Sequence, residues 1–202
     1  MIIIGIIGKI GSGKTYIANK ITKFNFNADK EVNKIYKKNK KFYNRIKKIF
    51  PNQITKFPID KKELQRIVNR NKNNLKKLGK IVHPIVREEL KKFLKKYSKK
   101  KVIVLDIPLL LENNIKIKNI ILVYVDAKTN EIFNKLKGRK NFNKKTYKIM
   151  AKNQLPSVYK KKRCNFLKCK FGAERPRGVL GGRSPLVLRR VLGGRSPLVK
   201  RS

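Results

Sequence analysis

The sequence predicts an α/β fold of three layers: a parallel sheet with helices on both faces. Three observations predict it. Ile2 to Ile7, Val102 to Ile107 and Ile120 to Val125 are short, almost wholly apolar runs rich in β-branched residues, as strands buried on both faces are. Apolar residues elsewhere recur at helical spacing. The first run passes through a glycine-rich turn straight into such a helical segment. Apolar strands alternating with helices imply crossovers between parallel strands.

Each element has its own pattern. Ile17, Ile21 and Phe24 place a helix after the glycines. "FNFNAD", ending at Asp29, is expected to be a second short strand. Ile35, Phe42, Ile46, Ile49 and Phe50 lie among lysines between Val32 and Phe50 and predict helices. Asp60, with Glu63 three residues on, resembles a capping box opening a helix that carries Leu64, Ile67 and Val68. Val86, Leu90, Phe93, Leu94 and Tyr97 mark an amphipathic helix expected to start at Pro84. Further helices are expected around Ile132, Phe133 and Leu136, then Tyr147, Met150 and Leu155.

Composition bounds the function. In 202 residues, 55 Lys and Arg face 11 Asp and Glu, a net charge of +44. Such a balance favours polyanionic partners, yet charge alone speaks to non-specific attraction. The body is rich in Lys, Asn and Ile together, so solvated lysine faces weigh more than a dedicated nucleic-acid surface. No run reaches the roughly 18 apolar residues of a transmembrane helix. "MIIIGIIG" lacks a basic leader and is not expected to be a secretory signal. Cys164 and Cys169 are the only cysteines, which fits a reducing, cytoplasmic setting and excludes a disulfide framework. With a single His far away, incidental thiols are favoured over a metal site.

The chemistry concentrates at Gly8-Lys9-Ile10-Gly11-Ser12-Gly13-Lys14-Thr15, which fits G-x-x-x-x-G-K-[ST] at every fixed position. Several inward-pointing amides can wrap a polyphosphate only where side chains do not block the approach. The helix that follows, entered through Tyr16, adds the positive end of its dipole. Lys14 would reach the β- and γ-phosphates of ATP, and the Thr15 hydroxyl would ligate Mg²⁺. An ordinary glycine-rich turn is the bland alternative, but this copy follows a buried strand and opens a helix. The expected fold is therefore P-loop NTPase-like. Asp29, at a strand end, is placed to take a proton from an acceptor hydroxyl, or to cap the next helix. Asp106, at the end of a buried strand, is placed to hold Mg²⁺ through water, or merely to begin a turn. Arg139, in "KLKGRKNF", is a candidate to stabilise a transferring phosphoryl group.

From Ile3 to about Arg163 the chain resembles the dephospho-coenzyme A kinase family. The matches run in order: "GKIGSGKT", "NAD" ending at Asp29, "IDKKEL" at Ile59, "IVHP" at His83 and Pro84 with Arg87 after it, "PLLLE" from Pro108 to Glu112, Arg139, and Gln154. The "HP" and "PLL-E" elements separate this family from other small-molecule kinases with the same loop. The resemblance implies a five-stranded parallel sheet and a kinase domain over 1–163. Within it lie a helical coenzyme-A-binding region at about 30–98 and a lid at about 130–160. It implies ATP-dependent phosphorylation of the ribose 3′-hydroxyl of dephospho-coenzyme A, the last step of coenzyme A biosynthesis. Asp29 would be the base, Lys14 and Arg139 would stabilise the phosphoryl group, and His83, Arg87, Pro108 and Glu112 would serve the acceptor. His83 would shape a turn or the acceptor pocket and not transfer protons.

Three departures stand out. Asn27 replaces the first Asp of the family's Asp-x-Asp, losing a charge. Lys135 stands four residues before Arg139, where Arg is common, and lacks the planar fork. After Arg163 the composition breaks. From Gly172 onward there are seven Arg, one Lys, no Asn, and "VLGGRSPLV" twice, from Val179 and Val191, too few copies for a solenoid. The 164–202 segment is expected to be a divergent, disordered tail, with the last strand poorly patterned and its covering helix missing. A weakened kinase is the expected consequence. The alternatives are another nucleoside or small-metabolite kinase and, from a different class, a non-catalytic basic protein that binds nucleic acid with steep salt dependence.

Overall fold

The computed structural model describes residues 1–138, 147 and 151–167, and in Lys72, Phe166 and Leu167 the backbone alone. Its elements, in chain order, are β1 (Ile2–Gly8), α1 (Lys14–Ile21), β2 (Asn25–Asn27), α2 (Ala28–Lys38), α3 (Lys40–Ile49), α4 (Lys61–Arg70), α5 (Lys72–Lys96), β3 (Val102–Asp106), β4 (Ile120–Val125), α6 (Thr129–Lys137), α7 (Ser157–Arg163) and β5 (Phe166–Leu167). The five strands form one sheet in the order β2-β3-β1-β4-β5.

The described chain divides into two compact units. One holds residues 1–25 and the described part from Lys101 on; the other is Phe26–Lys100.

In the first unit, β1 is central and pairs in parallel with β3 and β4, Ile4 facing Val104 on one side and Ile121 on the other. Consecutive residues from Ile3 to Gly8 are buried, so both faces of β1 are covered as well as its edges, which is why its residues are apolar without alternation. Ile4, Ile6, Val104 and Val123 pack with Ile17 and Ala18 of α1. The poorly patterned last strand is present as two residues of β5, parallel to β4 with Phe166 facing Val123. Just before it, Asn165 prolongs the edge. Its amide donates to the Leu122 carbonyl at 3.0 Å, and its side-chain Oδ1 accepts from the Leu122 amide at 2.9 Å.

The second unit is helical. Ile35, Phe42, Ile46, Leu64, Ile67 and Leu78, drawn from four helices, fill its core. Asp60 caps α4 as expected, accepting from the Lys62 amide at 2.9 Å. The box does not close, because Glu63 Oε1 accepts instead from the Thr55 hydroxyl at 2.7 Å.

Two expected boundaries are corrected. The second strand stops at Asn27, not Asp29, because the Asn27 side chain accepts from the Lys30 amide at 2.8 Å and so caps α2. Pro84 does not begin a helix; it lies inside the 25-residue α5. Proline lacks the amide that would continue the ladder, but an apolar face maintained across it holds the helix together.

Candidate active site

The loop between β1 and α1 carries the motif. Gly8, Gly11 and Gly13 all have positive φ, at 151°, 80° and 91°, a region other residues adopt only at a cost. At Gly8 space is as decisive as angle: a Cβ there would lie 2.6 Å from the Val125 carbonyl oxygen and 2.9 Å from Ser12 Oγ. At Gly11 it would strike Ile132 and Leu136 of α6. Among the described residues no side chain caps the start of α1, leaving that end of the helix suited to an anion. Tyr16, in the first turn of α1, is exposed.

Lys14 bends back over this loop, donating to the carbonyls of Lys9 at 2.8 Å and Gly8 at 3.2 Å. Thr15, next along α1, donates its hydroxyl to Asp106 Oδ2 at 2.6 Å. Asp106 is the last residue of β3 and is buried. The parallel pairing of β1 and β3 thus brings together a hydroxyl and a carboxylate 91 residues apart.

One further segment meets the loop, and Glu112 in turn holds that segment. Gln154 Oε1 accepts from the Ile10 amide at 3.1 Å, and Gln154 Nε2 lies 3.5 Å from the Gly8 carbonyl. Glu112 lies within the turn that begins at Pro108, where Leu109 takes a φ of 60°. Its Oε1 accepts from the Leu155 amide at 3.0 Å and pairs with Lys160 Nζ at 2.6 Å.

Of the remaining candidates, Asp29, His83 and Arg87 belong to the second unit. Asp29 is in the first turn of α2 in the second unit. There burial, and then the Asp29 charge, raise the pKa of Tyr36 to about 12. His83 and Arg87 lie one turn apart on α5, so His83 is on a helix and does not shape a turn. Burial and then the Arg87 charge lower the His83 pKa, favouring the neutral imidazole. Arg139 and part of the expected lid, 139–146 and 148–150, lie outside the described residues, as do Cys169 and the tail from 168 on.

Sequence reasoning missed Lys160 and Asn165. Lys160 stands in "YKKKR", where nothing distinguishes it from its neighbours, yet it is buried. Asn165 sits in the poorly patterned stretch. Its signal is being a polar residue directly before an apolar pair.

The residues present fit a nucleotide polyphosphate with a divalent cation. Ser12 Oγ is buried without a hydrogen-bonding partner among the described residues, a polar group that should not stay unpaired. The glycines leave room that Cβ atoms would fill. The hydroxyl–carboxylate pair of Thr15 and Asp106 offers the hard oxygen donors that Mg²⁺ prefers. No helix among the described residues is long and apolar enough to cross a membrane.

Comparison with known proteins gives one answer. The family model described as dephospho-CoA kinase matches residues 2–168. The dephospho-CoA kinase of Wolbachia pipientis wMel is 32% identical over 170 residues, covering 82% of this chain and 87% of the relative. That of Bartonella quintana (strain Toulouse) is 29% identical, covering 83% and 88%. Among solved structures, TT1252 from Thermus thermophilus is similar with a TM-score of 0.63 and 28% identity, covering 81% of this chain and 85% of that one. A strand–loop–helix built for a polyphosphate, in a parallel α/β sheet, therefore serves a kinase that takes ATP and dephospho-CoA as substrates in the final step of coenzyme A biosynthesis. The chain belongs to the dephospho-CoA kinase family.

Proposed function

We propose that this chain carries the reaction on the Gly8–Thr15 loop with Asp29 as base, the 3′-hydroxyl of the dephospho-CoA ribose being the group phosphorylated. The hydroxyl proton passes to the Asp29 carboxylate. The O3′–Pγ bond forms as the bond from Pγ to the β,γ-bridging oxygen breaks, and ADP leaves with that electron pair. Lys14 exchanges its loop carbonyls for β- and γ-phosphate oxygens, and the loop amides hold the same oxygens as charge develops on them. Arg139 contributes a second positive charge to the transferring group. Thr15 would hold Mg²⁺ directly and Asp106 would hold it through water; the ion supplies neutralisation of the β- and γ-oxygens. His83 and Arg87 serve the acceptor, His83 as a neutral, shape-giving ring. The reaction belongs in the cytoplasm, where a thiol such as Cys164 stays reduced.

The 2.6 Å bond between Thr15 and Asp106 carries this reading, because it joins the phosphate loop to a buried carboxylate with no apolar role. Replacing Asp106 by Asn keeps the shape and a hydrogen bond but removes the charge. Asp106→Asn is expected to raise the Mg²⁺ concentration for half-maximal rate by about 10- to 100-fold, measured by initial rates at saturating ATP and dephospho-CoA. An unchanged Mg²⁺ dependence would remove Asp106 from the scheme.

A further inference from the structure

Lys160 and Glu112 raise a question that the reaction leaves unanswered. A lysine in so basic a chain has every reason to stay in water, yet the Lys160 side chain is 4% exposed and that of Glu112 11%. A buried ammonium persists only with a partner, and Glu112 Oε1 supplies one at 2.6 Å. The same oxygen accepts from the Leu155 amide at 3.0 Å. One carboxylate oxygen therefore fixes both a side chain in the first turns of α7 and the backbone just before that helix.

The link from there to the phosphate loop is one residue long. Gln154 precedes Leu155, and Pro156, with φ near −53°, leads directly into α7. Gln154 presents its carboxamide to the loop, Oε1 on the Ile10 amide at 3.1 Å, with Nε2 3.5 Å from the Gly8 carbonyl. The Gly8 carbonyl is also one of the two that hold Lys14. We propose that Glu112 is a positioning residue: paired with buried Lys160, it pins the Gln154–Leu155 segment so that the Gln154 carboxamide braces the phosphate loop for ATP.

In this role Glu112 does not touch the acceptor. The Lys160 ammonium is enclosed with Glu112. A brace is useful because the loop is built from glycines, whose backbone is conformationally permissive. It retains an inward-facing set of amides only if its outer amides are tied from outside, and Ile10 is such an amide. Lys161, paired with Asp126 at 2.8 Å, is a second tie on α7 that survives loss of the first.

The inference rests on ATP binding at the Gly8–Thr15 loop, and the test separates the two. Gln154→Ala removes the brace without burying a charge. It is expected to raise the KM for ATP about tenfold, with the KM for dephospho-CoA unchanged and kcat affected less. Glu112→Gln strands the Lys160 charge and risks misfolding, so the pair is replaced together, Glu112→Leu with Lys160→Met, which fills the same space with apolar groups. That double variant is expected to show the same rise in the KM for ATP. Combined with Gln154→Ala it is expected to show no further rise, because both act through one carboxamide. Lys14→Met is the control for the loop. If Lys14→Met abolishes transfer while Gln154→Ala leaves the KM for ATP unchanged, or while the effects of the double variant and Gln154→Ala multiply, the brace is overturned and the loop stands. If Lys14→Met leaves the KM for ATP and kcat unchanged, the loop assignment and the brace fall together.

Discussion

A phenol two turns along α2 from Asp29 reports on that carboxylate. Burial, and then the charge of Asp29, push the Tyr36 pKa up to about 12 from its ordinary 10.0. The unfolded phenol ionises at the lower value. Between pH 10 and about 12 the unfolded state therefore loses a proton that the folded state keeps, and stability falls as pH rises through that window. Tyr36→Phe is expected to remove this part of the slope, read as thermal midpoint against pH for the two proteins. In ultraviolet titration of the folded protein, Asp29→Asn is expected to bring the Tyr36 midpoint below about 12 but not down to 10, since burial is the larger cause. A midpoint unmoved by Asp29→Asn would mean that the carboxylate does not act on the phenol. Asn27, beside it, illustrates how a lost charge is tolerated: its side chain caps α2 through the Lys30 amide, a role Asn fills as well as Asp.

At the scale of elements, the passage from β1 through the loop to α1 concentrates positions that glycine fills and other residues fill only with strain. Gly8→Ala would combine a positive φ with a Cβ 2.6 Å from a backbone oxygen that cannot withdraw. The expected loss is about 1–3 kcal/mol of stability, measured by urea unfolding, together with loss of the stabilisation that ATP gives the wild type. An Ala variant with unaltered stability and ATP response would contradict the geometry assigned to the loop. The central strands β1, β3 and β4 were legible in the sequence because burial on both faces leaves no polar alternation to confuse: β4 is found where expected, at Ile120–Val125. Boundaries set by single polar contacts were not legible. The Asn27 cap shortened β2, and α5 continued through Pro84 because apolar packing across a whole helix outweighs one missing hydrogen bond. The loop residues, Thr15 and Asp106 were readable from motif and strand end. Lys160 was not, because its burial depends on Glu112, 48 residues away, and no local pattern announces such a partner.

For the molecule as a whole, the net charge of +44 gave little guidance to function, since most lysines and arginines among the described residues are exposed. Order along the chain was more informative. The glycine loop, the "HP" and "PLLLE" segments and Gln154 follow one another as in the family to which the chain belongs. The central claim is that a phosphoryl group carried on the Gly8–Thr15 loop goes to the 3′-hydroxyl of dephospho-CoA. Its most direct test is product analysis by mass spectrometry and phosphorus NMR after incubation with ATP, Mg²⁺ and dephospho-CoA. The wild type should yield ADP and coenzyme A phosphorylated at the ribose 3′ position, and Lys14→Met should lower the rate by at least about a hundredfold. Phosphorylation at another position, no product, or equal yield from Lys14→Met would contradict it.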